Sequence, residues 1–462
     1  MESVESQPSE KSVQSDAPFW PSGRFLGHLE QVGQDPLNTM IKAHREYGEI
    51  VRIRLGPLQA FFIFDPAVVK EALIAKADDF AKTTRGYNKL RLFLGNGLVT
   101  SEGSFWRRQR RIAQPAFRRK CIAGFAATMT ETAEELVEKW GAIADSDETI
   151  DMADAMRELT LKIAGETLMS VDMTGDAKLV AEAMDVAMER FMDYLASPIP
   201  YPEYMPTLAN YKFWMIFSRM KKRVADIIKE RRDSGDAVHD LLGLFMAAED
   251  PETGEKMTDQ QLRDEVLTML SAGHDTTSNA LVWTLHELAR HAAVAAELEA
   301  ELDAVLGGRT PSIEDIPKIQ YTAQVVKESM RVYPPVWVVG RQAKRKTSLG
   351  GYKIPKGAYI FLPQWALHRH PKYWDNPETF DPSRFAPDKP PPDRFLYMPF
   401  NRGQRQCIGD RFAEMELILV LATLAQHYRF HLDPDHVVEL EPSVTLRPKN
   451  GLPMRLTRRR PE

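Results

Sequence analysis

Through the middle of the chain, apolar residues recur at three- and four-residue spacing. In "TAEELVEKWGAIA", "RELTLKIAGETLM" and "KLVAEAMDVAMERFMDYL" they fall on one helical face. A proline-rich break, "SPIPYPEYMP", separates the third of these from a long basic helix, "YKFWMIFSRMKKRVADIIKERR". The pattern "DQQLRDEVLTMLSAGHDTTSNALVWTLHELARH" exceeds the ordinary helix length and would cross a whole domain. Short alternating runs sit at the two ends of the chain: "EIVRIRLGPLQAFFIF" early, "GYKIPKGAYIFLP" and "VVELEPSVTLRPKNGLPMRL" late. Helices therefore dominate, and a small sheet is assembled from distant segments. No internal repeat or long linker divides the sequence, which predicts one domain with long-range contacts.

Composition narrows the picture. The chain is 43% hydrophobic and 27% charged, as in an ordinary globular protein, and its net charge of -5 gives no electrostatic case for nucleic acid. The first twenty residues, "MESVESQPSEKSVQSDAPFW", are polar, with neither a basic nor an apolar signal region. They predict a disordered lead-in over 1–20 and a single domain over 21–462. The apolar run "LILVLATLA" is far shorter than the roughly 20 residues of a spanning helix. No transmembrane anchor is expected. Two cysteines, Cys121 and Cys407, cannot build a disulfide framework, so a reducing cytoplasm is the expected location. A monomer is expected.

Cys407 lies in "MPFNRGQRQCIGDRFA", between Gly403 and Gly409, behind Arg402 and Arg405 and before an apolar helical pattern. Zinc would need three or four ligands, and no second Cys or His lies nearby. A catalytic thiol would need a His brought from elsewhere. A buried structural Cys is the ordinary alternative. The glycines imply a tight turn or a close approach. A helix N-terminus favours a thiolate, and the arginines offer partners for an anion. That combination fits a haem held by sulfur.

Phe400, Gly403, Arg405, Cys407 and Gly409 match the F-x-x-G-x-R-x-C-x-G signature of the cytochrome P450 family, and the chain from about residue 20 onward resembles that family. The resemblance implies the P450 fold, mainly α with small β-sheets. The cofactor, haem b (iron protoporphyrin IX), would lie between a long central helix and the cysteine loop. It implies Cys407 as the axial iron ligand, Arg405 on a haem propionate and Phe400 packed beside the ligand loop. Gly403 and Gly409 would shape that loop.

Three further strings follow the family's order. In "KESMRVYPP", Glu328 and Arg331 share a helical face. The resemblance joins them to Arg384 of "FDPSRF" as a buried structural triad. Trp106 and Arg110, spaced i and i+4, and Arg341 resemble propionate partners. In "SAGHDTTSN", Gly, Asp and Thr are poor helix-interior residues. The pattern predicts a polar interruption of the long helix, bent by Thr back-bonding. It resembles the family's oxygen groove, with Ala272 and Gly273 leaving room above the iron, Asp275 relaying protons and Thr276 bonding the oxygen ligand. His274 falls on the variable position and is read as a solvent-side or helix-packing residue.

The intact Asp275–Thr276 pair implies a monooxygenase inserting one atom of O2 into a hydrophobic small molecule. The rivals are a haem-thiolate peroxygenase or isomerase, and a carrier or sensor without turnover. The strings "PKG" and "FDPSRF", with Arg405, resemble the branch of fatty-acid hydroxylases and microsomal enzymes, which tilts the substrate toward long-chain lipids, terpenoids or steroid-like compounds. Leu92, Phe93, Leu94, Val336, Val338 and Leu452 are candidate pocket walls, and Arg85, Lys89 and Arg91 are available cations. No flavin or ferredoxin module follows the domain in this sequence. Electrons are therefore expected from a ferredoxin or flavodoxin with its NAD(P)H reductase in trans. Arg107, Arg108, Arg111, Arg118, Arg119 and Lys120 form a basic patch suited to an acidic partner.

Overall fold

A computed structural model of the chain describes residues 16–22, 25–171, 179, 180, 182, 183, 186, 187, 190, 205–234 and 240–459. The expected helix over 178–195 and the proline-rich break after it lie mostly outside the described residues. The helices that frame the site are α1 (Arg85–Leu94), α2 (Gly103–Ala113), α3 (Ala126–Gly141), α4 (Met152–Met169), α5 (Leu208–Ser234), α6 (Asp259–Arg290), α7 (Ala292–Leu306), α8 (Gln320–Val332) and α9 (Asp410–His427).

The main sheet has strand order β1-β2-β8-β5-β3. Its members are β1 (Ile50–Leu55), β2 (Leu58–Ile63), β3 (Phe80–Ala81), β5 (Val339–Ala343) and β8 (Tyr359–Leu362). β1 and β2 form an antiparallel hairpin with Ile50 opposite Ile63, while β2 and β8 run parallel with Ala60 opposite Tyr359. β4 (Ile150–Asp151), β12 (Pro453–Arg458) and β9 (Tyr428–Leu432) make a second sheet. β6 (Thr347–Leu349) pairs with β7 (Tyr352–Ile354), and β10 (Leu440–Pro442) with β11 (Leu446–Pro448).

α6 is the axis of the helical core. Thr258 starts it with a capping box, its side chain accepting from Gln261 N while the Gln261 side chain accepts from Thr258 N. It packs along α4 and against α5, α8 and α9, and Trp283 is fully buried on it. The helix runs over 32 residues, as its length of pattern predicts, and it stays helical through the polar centre "SAGHDTTSN". Thr276 Oγ1 donates to the Ala272 carbonyl at 2.6 Å, so its polar group is satisfied within the helix. Packing on α4 then outweighs a propensity cost of up to about 1 kcal/mol per residue.

Two boundaries differ from expectation. Residues 17–20 are not a free lead-in: Ala17 and Trp20 are buried, and Trp20 N donates to Arg52 O while Arg52 N donates to Pro18 O. The apolar side chains and the open edge of β1 fix that segment. "VWVV" is not a strand throughout, since β5 starts only at Val339. α8 stops as expected before Pro334–Pro335, with Tyr333 closing it.

Candidate active site

The segment from Phe400 to Gly409 folds back on itself. Cys407 N donates to Phe400 O at 2.9 Å and Gln406 N to Gly403 O at 3.0 Å. Gly403 has φ +77, and a Cβ there would lie 2.5 Å from Leu73 O, so only glycine fits. Gly409 is different: a Cβ would meet only Phe117 Cε1, at 3.7 Å. Its backbone N–H bonds the Cys407 sulfur, and α9 begins at the next residue.

The Cys407 thiol is accessible yet closely surrounded by protein. Surface of that kind belongs to an internal hollow. Burial pushes the thiol up to about 11, and Asp410 adds to the rise; Arg110 and Lys82 oppose it. Desolvation outweighs the nearby positive charge at the free thiol. A metal cation would supply the missing stabilisation.

Positive charge collects around this thiol. The Arg405 guanidinium lies 3.6 Å from the centre of the Trp106 ring. It donates to Ser101 O at 3.0 Å and to Glu102 at 2.7 Å. Arg110 donates to Gln406 O at 3.0 Å. Arg341 is buried, and one of its terminal nitrogens, Nη2, has no partner within the protein. Trp106, Arg341 and Arg405 line one hollow together with Phe80, Ala81 and Arg402. Lys82, which the sequence gave no reason to single out, belongs to the same cluster. Burial, then the like charges of Arg341 and Arg405, drive its pKa far down. Glu102 is the carboxylate that partly offsets them.

Midway along its length, α6 changes character. Ser271, Ala272, Gly273, Asp275 and Thr276 are partly exposed, whereas the residues flanking them on the helix are largely buried. A Cβ on Gly273 would meet nothing within 4 Å, which marks open space. Asp275 Oδ2 accepts from Thr445 Oγ1 at 2.6 Å, and Asn279 Nδ2 donates to Asp275 O at 2.7 Å. His274 faces the other way. It is buried, and its main-chain oxygen accepts from Thr160 Oγ1 of α4 at 3.2 Å. Burial lowers its pKa to about 4, so it is a neutral packing residue rather than a solvent-side one.

A thiol in a hollow, a buried guanidinium N–H without a partner, a surplus of cations and open space at Gly273 together fit an iron porphyrin carrying two carboxylates. The comparisons with known proteins agree. A family model described as Cytochrome P450 matches residues 18–453. The chain belongs to the cytochrome P450 family. It is 34% identical over 92% of its length to cyclooctat-9-en-7-ol 5-monooxygenase of Streptomyces melanosporofaciens, covering 93% of that protein. It is 31% identical over 94% of its length to pentalenene oxygenase of Streptomyces avermitilis, covering 96%. The crystal structure of the cytochrome P450DA heme domain superposes with a TM-score of 0.87 at 30% identity, covering 97% of this chain and 98% of that one. The protein is thus a P450 monooxygenase with a haem cofactor.

The rest of the P450 framework is built around Glu328 and Arg331, both fully buried. Arg331 donates to both Glu328 oxygens at 2.7 Å and to the carbonyls of His368, Pro377 and Thr379. Arg384 donates to Glu328 at 3.3 Å, and Asp381 N at 2.9 Å. All three residues named from the sequence meet at one carboxylate.

The pocket candidates do not all meet. Phe93 packs on Phe213 and Phe217 of α5, ring centres 6.2 and 5.8 Å away. Leu92, Leu94 and Leu452 belong to the same apolar cluster. Val336 and Val338 part company, packing against two other clusters. The basic patch is smaller than expected. Arg108 pairs with Glu255, and Arg111 with Asp250 and Glu252, while Arg107, Arg118, Arg119 and Lys120 are exposed.

Proposed function

We propose that this P450 inserts one atom of O2 into a compact terpenoid, in the cytoplasm and as a monomer. Electrons would come from a separate ferredoxin or flavodoxin and its NAD(P)H reductase. The observation that carries the substrate class is the kinship with oxygenases named for cyclooctat-9-en-7-ol and pentalenene. The aromatic packing of Phe93 on Phe213 and Phe217 supports it, since it offers broad apolar surface.

When bound, the haem supplies oxygen activation, favoured by electron density from a thiolate. Cys407 would hold the iron. Arg341, with its spare N–H, and Arg405 and Arg110 would hold and neutralise the propionates, with the Trp106 indole N–H as a further donor. Ala272 and Gly273 leave the space for oxygen and substrate. Asp275 and Thr276 would hold and pass protons at the distal face; Thr276 Oγ1 is oriented by Ala272 O. Arg107, Arg118, Arg119 and Lys120 would steer an acidic partner.

A second reading has a specific basis. Lys89 of α1 is buried, and burial with the like charges of Arg85 and Arg190 lowers its pKa to about 8. A ligand carboxylate beside Lys89 would favour its charged form, which suits an acid-bearing lipid. The test is a titration of the holoenzyme with linear fatty acids and with compact terpenoids, following the Soret band. A high-spin shift with terpenoids alone supports the first reading. A shift with fatty acids alone, lost in K89M, supports the second.

A further inference from the structure

Thr445 lies 170 residues from Asp275 in sequence, yet its hydroxyl donates to Asp275 Oδ2 at 2.6 Å. It is buried. The same hydroxyl oxygen accepts from Asn279 Nδ2 at 3.3 Å. A threonine hydroxyl has one proton and two lone pairs, so the chain runs one way, from amide to hydroxyl to carboxylate. Successive bonds of that kind polarise and strengthen one another. The structure thus gives the Asp275 carboxylate hydroxyl and amide partners, with Asn279 also 3.5 Å from Oδ1.

The turn carrying Thr445 is fastened on two sides. Toward α6, Trp283 Nε1 donates to Leu446 O at 2.9 Å. Toward the segment before β5, Trp337 Nε1 donates to Ser443 O at 2.9 Å and Leu446 N to Pro335 O at 2.9 Å. Val336, a candidate wall of the pocket, lies between those two anchors. Four residues of one turn therefore bridge a candidate pocket wall and the carboxylate on the central helix.

We propose that Thr445 is a positioning residue: its hydroxyl sets the direction of the Asp275 carboxylate beside Thr276, and its turn carries movements of the Pro335–Trp337 segment to that carboxylate. The inference rests on the reading of Asp275 as a proton-relay group. It does not require Thr445 to touch substrate or haem.

The test uses the ferric holoenzyme and its variants. The carboxylate stretch of Asp275 is isolated as the wild-type minus D275N infrared difference. T445V keeps the shape but removes the donor, so the band is expected to move; T445S restores the donor and should return it. A band unmoved by T445V overturns the proposal. T445A, which likewise removes the hydroxyl donor, carries the same expectation should T445V not fold. Peroxide released per NADPH is then measured with a surrogate ferredoxin and reductase and the sesquiterpene valencene as probe. An increase in D275N, a similar increase in T445V, and no further increase in the double variant support the account. An increase in D275N with none in T445V overturns the role of Thr445 alone. No increase in D275N overturns the reading of Asp275 itself.

Discussion

Arg405 sits over the Trp106 ring, its guanidinium carbon 3.6 Å from the ring centre, while its nitrogens reach Ser101 O and Glu102. The stack holds a cation at the edge of the hollow that Trp106, Arg341 and Arg405 line. Such a pair is worth about 2 kcal/mol or more when desolvated. W106A and R405A should both lower the haem-to-protein ratio after gel filtration, whereas W106F, which keeps a ring, should retain most of it. R405K should fall between, because lysine keeps the charge and loses the planar fork. Full haem retention in both alanine variants would show that the stack does not hold the cofactor.

Glu328 is the acceptor for two guanidinium groups and one main-chain N–H. Removing its charge leaves Arg331 buried without a counter-charge, which typically costs about 3–5 kcal/mol. E328Q should lower the urea midpoint accordingly at an unchanged slope. A midpoint equal to the wild type would mean that the carbonyls of His368, Pro377 and Thr379 suffice.

Glu265 of α6 accepts from Leu98 N at 3.0 Å and is fully buried. Burial, the largest influence, raises its carboxyl from 4.5 to about 7. The folded state therefore keeps a proton that the unfolded state releases above pH 4.5. The stability tied to that proton is complete below pH 4.5, declines as pH rises toward 7, and is level beyond. The displacement corresponds to about 3 kcal/mol. E265Q should gain on the wild type by that order between pH 4.5 and pH 8 in denaturant titrations. A pH-independent difference would contradict the shift.

Charge reversal of the exposed pair Arg118 and Arg119 should slow reduction by an acidic ferredoxin, with the deficit shrinking as salt is raised. R108E should do less, since Arg108 already pairs with Glu255. Stopped-flow reduction at two ionic strengths distinguishes them. Equal, salt-independent rates would place the partner elsewhere.

What could be read from the residues alone was local, whereas the contact of Arg384 with Glu328, 56 residues apart, was legible only through the family resemblance. Phe400 to Gly409 form one self-bonded loop, so their spacing carries their geometry. The Thr276–Ala272 bond is an i−4 contact and the Thr258 capping box spans three residues, so both are written in adjacent turns. What escaped lies far apart in the chain. Lys82 and Glu102 join Arg341 and Arg405 only through the sheet, and Thr445 reaches Asp275 across 170 residues. The pairing of Arg108 and Arg111 with the Asp250–Glu255 loop also depends on tertiary approach. The unbroken course of α6 through "SAGHDTTSN" shows packing on α4 overriding a local propensity.

The central claim is that Cys407 ligates the haem iron; burial pushes its free thiol up to about 11. Iron K-edge X-ray absorption of the ferric holoenzyme tests this most directly. The account predicts one sulfur scatterer in the iron's first shell in the wild type and none in C407H reconstituted with haem. A first shell without sulfur in the wild type, or one that keeps its sulfur in C407H, would contradict it.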